Sequence, residues 1–245
     1  MLSSVPFRSL LRLRPVTIAP GQLDILKAVA FVAMVGDHVN KALLHHAYPA
    51  LNLLGRVAFP LFAWCFAYSV VHHLRNGRRF VISSFLFAAL SQWPFYEVLV
   101  PHTEHLARLG SLNILPVFLF AYGINRIWST ENAGRQTLSY LLFGLGGCLF
   151  FDASYAWQGL GFLLCSIGYF RSGGPLYAAG CIVLLLLCLI PSWVMILPIV
   201  VAVVLFSSFG GLGGSLRRFL PRNALYVGYA GHLWLLFLLA RCFHW

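Results

Sequence analysis

An acid and a base stand side by side in the run FVAMVGDHVNKALLHH, where an apolar stretch meets Asp37, His38, Asn40 and Lys41. A charged side chain inside a membrane span is costly, so each one needs a partner or a chemical task. Few other polar groups sit in comparably apolar surroundings. They are Arg56 in NLLGRVAFPLF, Asn113 in SLNILPVF, Asp152 in FDASYAWQGLGF and His232 in YVGYAGHLWLL. Neighbours on a helix point about 100° apart, so Asp37 and His38 cannot serve each other, whereas Asp37 and Lys41 share a face. Asp37 is therefore expected to pair with Lys41 or Arg56. That leaves His38 on another surface, toward a cavity shared with Asp152 or His232.

A neutral histidine can take a proton from an incoming nucleophile, and an aspartate can hold the ring or stabilise its charged form. Arg56, Asn113 or a tyrosine hydroxyl can donate to a developing oxyanion. Such a set suits acyl transfer to an amine. No G-x-S-x-G elbow occurs, so direct transfer from donor to acceptor is favoured over an acyl-enzyme.

The elements that must position these residues are membrane helices. Of 245 residues, 60% are hydrophobic and 9% charged, with a mean hydropathy of +0.82. Apolar stretches of the length needed to cross a bilayer, roughly 20 residues, recur from end to end. The sequence predicts an all-α, polytopic bundle of about nine spans, with eight to ten as the range. They fall near 25–45, 52–74, 80–100, 112–128, 137–151, 157–170, 176–190, 193–208 and 224–243. A single domain over 1–245 is expected, since no polar stretch is large enough to fold separately. Residues 1–20 are basic and lack a continuous apolar core, which predicts a cytoplasmic arm rather than a cleaved signal.

Where the charges sit argues for topology rather than for nucleic acid. With the N-terminus inside, thirteen of the seventeen Lys and Arg residues fall on the cytoplasmic side, and only Lys41, Arg56, Arg108 and Arg241 fall outside. Asp37, His38, Arg56, Asn113 and Asp152 then gather in the outer half of the bundle, with His232 nearer mid-depth. Connections are short, among them NGRR, RSGG and FGGLGGSLRRFLPRN, the last being the candidate mobile loop. The clusters Arg75, Arg78, Arg79 and Arg217, Arg218, Arg222 are topology signals that could also attract phosphates. Cys65, Cys148, Cys165, Cys181, Cys188 and Cys242 show no C-x-x-C spacing and are read as packing residues. His45 with His46 and His72 with His73 lie at span ends, where interfacial rings are expected, so no metal site is expected. In SQWPFYE, Gln92, Trp93 and Pro94 are expected to end the third span with a kink, with Trp93, Phe95 and Tyr96 as interfacial aromatics.

LDILKAVAFVAMVGDHVN followed by LLGRVAFPLFAWCFAYSV resembles the opening of the TraX family, whose first spans carry LDxxK, DHxN and GRxAFPLFA segments. SQWPFYE, LNILPVFLF, SYAWQGLGFLL and YVGYAGHLWLL are similar to later family segments. Gly36 stands where leucine is commoner, and ILP at 114–116 where an aromatic is commoner. The resemblance implies an inner-membrane acetyltransferase of conjugative plasmids, with acetyl-CoA as donor and the N-terminal amine of a pilin subunit as acceptor. It makes Asp37, His38 and Arg56 the core of the catalytic set, with His232 added to it and Asp152 at the substrate, where Asn113, Tyr229 and Lys41 are also expected. Arg78, Arg79, Arg217 and Arg218 are placed at the donor, membrane lipid surrounds the bundle, and no nucleic acid partner is implied. The same chemistry permits closure of pilin through its own C-terminus. A proton-coupled transporter and a pilin-holding scaffold are the readings from other classes. A cytoplasmic donor and an outward-facing amine leave the route of the acyl group to be found.

Overall fold

The computed structural model describes residues 17–74, 76–102, 111–129, 132–149, 156–189, 196–211 and 216–242. Among them are nine α-helices, one short 3-10 turn at Val100–His102 and no strand. In chain order the helices are α1 (Pro20–Ala42), α2 (Pro49–His72), α3 (Gly77–Leu99), α4 (Ile114–Trp128) and α5 (Ala133–Leu149). They continue with α6 (Ala156–Ser172), α7 (Pro175–Leu189), α8 (Ile196–Gly211) and α9 (Ala224–Cys242). These match the nine stretches expected from hydropathy, with ends shifted by a few residues. Two of them, α2 and α9, are long and apolar enough to cross a membrane, and Ile114–Trp128, Pro175–Leu187 and Ile196–Ser208 are apolar but shorter. Large apolar side chains face outward, including Val32, Phe85, Leu86, Leu141 and Leu176.

Local chemistry sets the starts. Pro20, Pro49 and Pro175 open α1, α2 and α7, where a missing N–H costs nothing. Asn76 and Asn113 cap α3 and α4 by accepting the N–H groups of Arg79 and Leu115 at 3.0 and 3.1 Å. Pro94 lies inside α3 rather than ending it. It has no N–H for the carbonyl of Leu90, and Trp234 Nε1 donates to that carbonyl instead, at 3.1 Å. Phe95, expected at an interface, is buried against α9.

Helices α1 and α2 run antiparallel, whereas α1, α3 and α9 run parallel. Ser84 meets Tyr226 at 2.8 Å, and further along the same pair of helices Glu97 lies 3.7 Å from Arg241. At one end of the bundle Tyr68 OH accepts the N–H of Ile18 at 2.9 Å, bringing the end of α2 to the start of α1. At the other end Asn40 both donates to and accepts from the backbone of Tyr48, at 3.0 and 3.1 Å, which pins the α1–α2 connection. A core of Leu23, Leu26, Leu61, Ile167 and Phe206 joins α1 and α2 to α6 and α8. A second core, with Phe59, Val117, Leu160 and Phe162, joins α2 to α4 and α6.

Candidate functional site

A cavity of about 1850 Å³ runs between α1, α2, α3 and α9. Asp37, His38, Lys41, Asn52, Arg56 and Tyr229 line it toward the C-terminal half of α1. Lys27, His73, Arg79, Arg218 and Arg222 line it toward the N-terminal end of that helix.

Two histidines far apart in the chain meet here, and His38 is the one that lines the cavity. His38 Nδ1 lies 2.8 Å from His232 Nε2, and the rings are near-parallel, 17° apart in plane. His232 Nδ1 lies 3.1 Å from the carbonyl of Gly228. That carbonyl can only accept, so His232 carries its proton on Nδ1 and accepts at Nε2 from His38 Nδ1. His232 is neutral in this arrangement, and a neutral His38 keeps its lone pair on Nε2. Phe31 packs edge-on against the His232 ring at 5.9 Å and Tyr229 lies 5.5 Å from it, which restrains the acceptor ring.

Asp37 turns away from His38, as the 100° step requires. Its Oδ2 takes Lys41 Nζ at 2.6 Å, and the side chains of the pair are 11% and 17% exposed. Its partner is Lys41, not Arg56. The approach of α2 to this carboxylate is possible because residue 55 is glycine: a Cβ there would lie 2.2 Å from Asp37 Cβ. Asn52 and Arg56 flank Gly55 on the same face of α2, at i and i+4. Three buried polar atoms of this group have no hydrogen-bond partner among the described residues: Asp37 Oδ1, Asn52 Oδ1 and Arg56 Nε. Pro60 also lacks the N–H that a helix would give the carbonyl of Arg56.

Other expected residues fall elsewhere. Asn113 is fully buried, its amide donating to Ala88 O at 2.8 Å and Gln92 Oε1 at 2.9 Å while its oxygen caps α4. Both donors are used, so it ties α4 to α3 and has none left for an oxyanion. Arg79 and Arg218 line the cavity, but Arg78 and Arg217 are exposed and do not. Asp152, Arg75 and Arg108 lie outside the described residues. Asn52 and Lys27 are not among the site residues expected from the sequence, and His73, expected as an interfacial ring, lines the cavity. The i, i+4 spacing of Asn52 to Arg56 is the signal that could have found the first.

The described residues define an all-helical bundle around a cavity of mixed apolar and polar lining, with His38 of a hydrogen-bonded histidine pair in its wall. The chain belongs to the TraX family, whose model, described as TraX protein, matches residues 22–240. A protein named Protein TraX from Escherichia coli strain K12 is 30% identical over 229 residues, covering 91% of this chain and 88% of its own. A second Protein TraX, from Escherichia coli, is 30% identical over 232 residues with the same coverage. No solved structure gives a significant match.

Proposed function

We propose that the chain is a multi-pass inner-membrane acyltransferase that moves an acetyl group from acetyl-CoA to the N-terminal amine of a conjugative pilin subunit. The observation that carries this reading is the His38–His232 pair, which leaves a basic nitrogen, His38 Nε2, in the wall of a cavity. The nine alternating helices serve as spans, and the outward apolar side chains meet lipid. The excess of basic residues at the α1 N-terminal end puts that end in the cytoplasm and His38 in the outer half.

In this mechanism the amine nitrogen attacks the thioester carbonyl, a C–N bond forms and the C–S bond breaks. The proton lost by nitrogen goes to His38 Nε2 and then to the departing sulfur, giving an amide and a free thiol. His232 holds the imidazole in the tautomer that accepts. Arg56 donates to the oxyanion. Asp37 and Asn52 offer acceptor oxygens to an amine that still carries N–H groups.

In this reading the cavity is also the route by which a cytoplasmic donor meets an outward-facing amine. Lys27 and His38 are eleven residues apart on α1, about 16 Å along the axis. The arm of coenzyme A between phosphorus and sulfur is a chain of thirteen bonds, as long as about four extended residues, or about 14 Å. A donor held by its phosphates at the basic end thus brings its thioester to the histidines.

The test is the intact mass of pilin from cells carrying His38→Ala in a chain that still inserts. Loss of the acetyl increment is expected, and an unchanged acetylated mass refutes the base. A wild-type product lighter by one water, in place of one heavier by acetyl, would reassign the same amine to ring closure.

A further inference from the structure

We infer that the α1 N-terminal end of the cavity is a phosphate-binding site, and that Asp24 is the residue that positions it. The inference rests on the acyl-transfer reading only for which phosphate ester arrives.

Three parallel helices, α1, α3 and α9, begin at this end, and Pro20, Asn76 and Asn223 from their first turns or caps line the cavity. Helix N-termini present unpaired N–H groups and a partial positive charge to whatever sits between them. Lys27, His73, Arg79, Arg218 and Arg222 line the same end. Asp24 is the acidic side chain that lines it among the described residues, and its side chain is 2% exposed.

Asp24 does not cancel this field, because it sets one negative charge against Lys27, Arg79, Arg218 and Arg222, and its Oδ2 is spent on the polypeptide. Oδ2 accepts the backbone N–H groups of Phe219 and Leu220 at 3.1 and 3.0 Å. The nearest cations, Lys27 Nζ and Arg218 Nε, stand off at 3.9 Å. The backbone of Gly21 adds a second tie, its N–H donating to Leu216 O at 3.0 Å. A side chain at position 21 would put a Cβ 2.5 Å from the carbonyl of Arg217, so only glycine lets the segment lie this close. Residues 216–220 are thereby laid across the first turn of α1. Arg218 and Arg222 are held at the cavity mouth, the Arg218 side chain 51% exposed with its Nε 3.9 Å from Asp24 Oδ2. The chemistry recognised is a phosphate ester of two or more negative charges, from a soluble nucleotide-type donor or from a lipid headgroup.

The experiment is calorimetric titration of the full chain, in nanodiscs of zwitterionic lipid, with adenosine 3′-phosphate 5′-diphosphate. Pantetheine, which carries no phosphate, is the control. Wild type binds the nucleotide and not pantetheine. Arg218→Ala/Arg222→Ala, whose changes are exposed and leave the fold alone, weakens binding about tenfold or more. Asp24→Ala does the same by releasing the loop. Asp24→Asn, which keeps an oxygen for the two N–H groups, binds measurably tighter than Asp24→Ala. In turnover the double arginine variant raises KM for the donor and leaves kcat and the acceptor KM in place. Repeating the titration in discs containing phosphatidylglycerol separates the sources: nucleotide binding that survives assigns a soluble ester, and binding that is lost assigns the lipid headgroup. Wild-type nucleotide affinity in the double arginine variant overturns the inference, as does undiminished binding by Asp24→Ala. Binding as expected with no acetylated pilin leaves the site standing and sinks the acyl-transfer reading. Acetylation with an unaltered donor KM in the arginine variant does the reverse.

Discussion

Gly55→Ala separates the catalytic reading from a merely structural one. The added methyl would sit 2.2 Å from Asp37 Cβ and 2.6 Å from its Cγ. Opening the first distance to an ordinary contact of about 3.4 Å requires a shift of about 1.2 Å, shared between α1 and α2. Neither atom belongs to a flexible tip, so the helices themselves must part. Overpacking of this kind costs about 1–3 kcal/mol, and the gain in helix propensity from Gly to Ala returns at most about 1 kcal/mol. The protein should stay folded with a modestly lower unfolding temperature. The rate should suffer more, because Asn52 and Arg56 ride on α2 while Asp37 and His38 ride on α1. A misplacement of about 1 Å between reacting groups lowers rates about 100-fold. The assay is the time course of pilin acetylation by intact mass, beside thermal unfolding of the purified chain. Gly231→Ala is the control, since nothing lies within 4 Å of its added methyl although it adjoins His232. It should match wild type in rate and equal or exceed it in stability. A wild-type rate from Gly55→Ala, or an equal loss from Gly231→Ala, refutes the reasoning.

His232→Leu leaves His38 Nδ1 without its acceptor and should lower the acetylation rate about 100-fold or more, whereas His232→Gln, whose amide oxygen can accept, should retain at least about tenfold more activity than leucine; equal rates in the same time course would remove His232 from the relay. Asn113→Ala deletes a helix cap and two buried donor contacts, so it should lower stability by about 1–3 kcal/mol in thermal unfolding while the acceptor KM stays at the wild-type value. Asp37→Leu strands the charge of Lys41 and should cost about 3–5 kcal/mol, most of which Asp37→Leu/Lys41→Met recovers, as measured by unfolding of both variants in one detergent.

Much of this arrangement was legible wherever one helix decides it. Nine apolar stretches are visible because hydropathy marks each separately. The Asp37–Lys41 pair follows from a four-residue step, and the 100° step alone turns His38 off that face. What spacing could not supply is a partner from another helix. The residue that orients His38 lies 194 positions away, and the loop held by Asp24 lies 195 and 196 away. Those contacts exist only because α1 and α9 run parallel with matched starts. Asn113 shows the opposite failure. An asparagine just before the apolar run ILPVFLF carries a local cap signal, and the high cost of a buried polar group led instead to a substrate role.

The two kinds of polar residue differ in how completely they are used. Asn40, Gln92 and Asn113 spend their amides on neighbouring backbone, as buried polar groups do when their task is to hold helices together. Asp37 is buried and Asn52 and Arg56 are half-buried, yet each keeps one buried polar atom without a partner among the described residues. All three line the cavity beside His38, and leaving buried groups unmatched lowers stability by about 1–3 kcal/mol each. Residues that served only to join α1 to α2 could have been paired off as Asn40 is. A surplus of two acceptors and one donor at this place is what an amine and an acyl oxygen would complete, and it makes the α1–α2 seam the part of the bundle where binding should raise stability most.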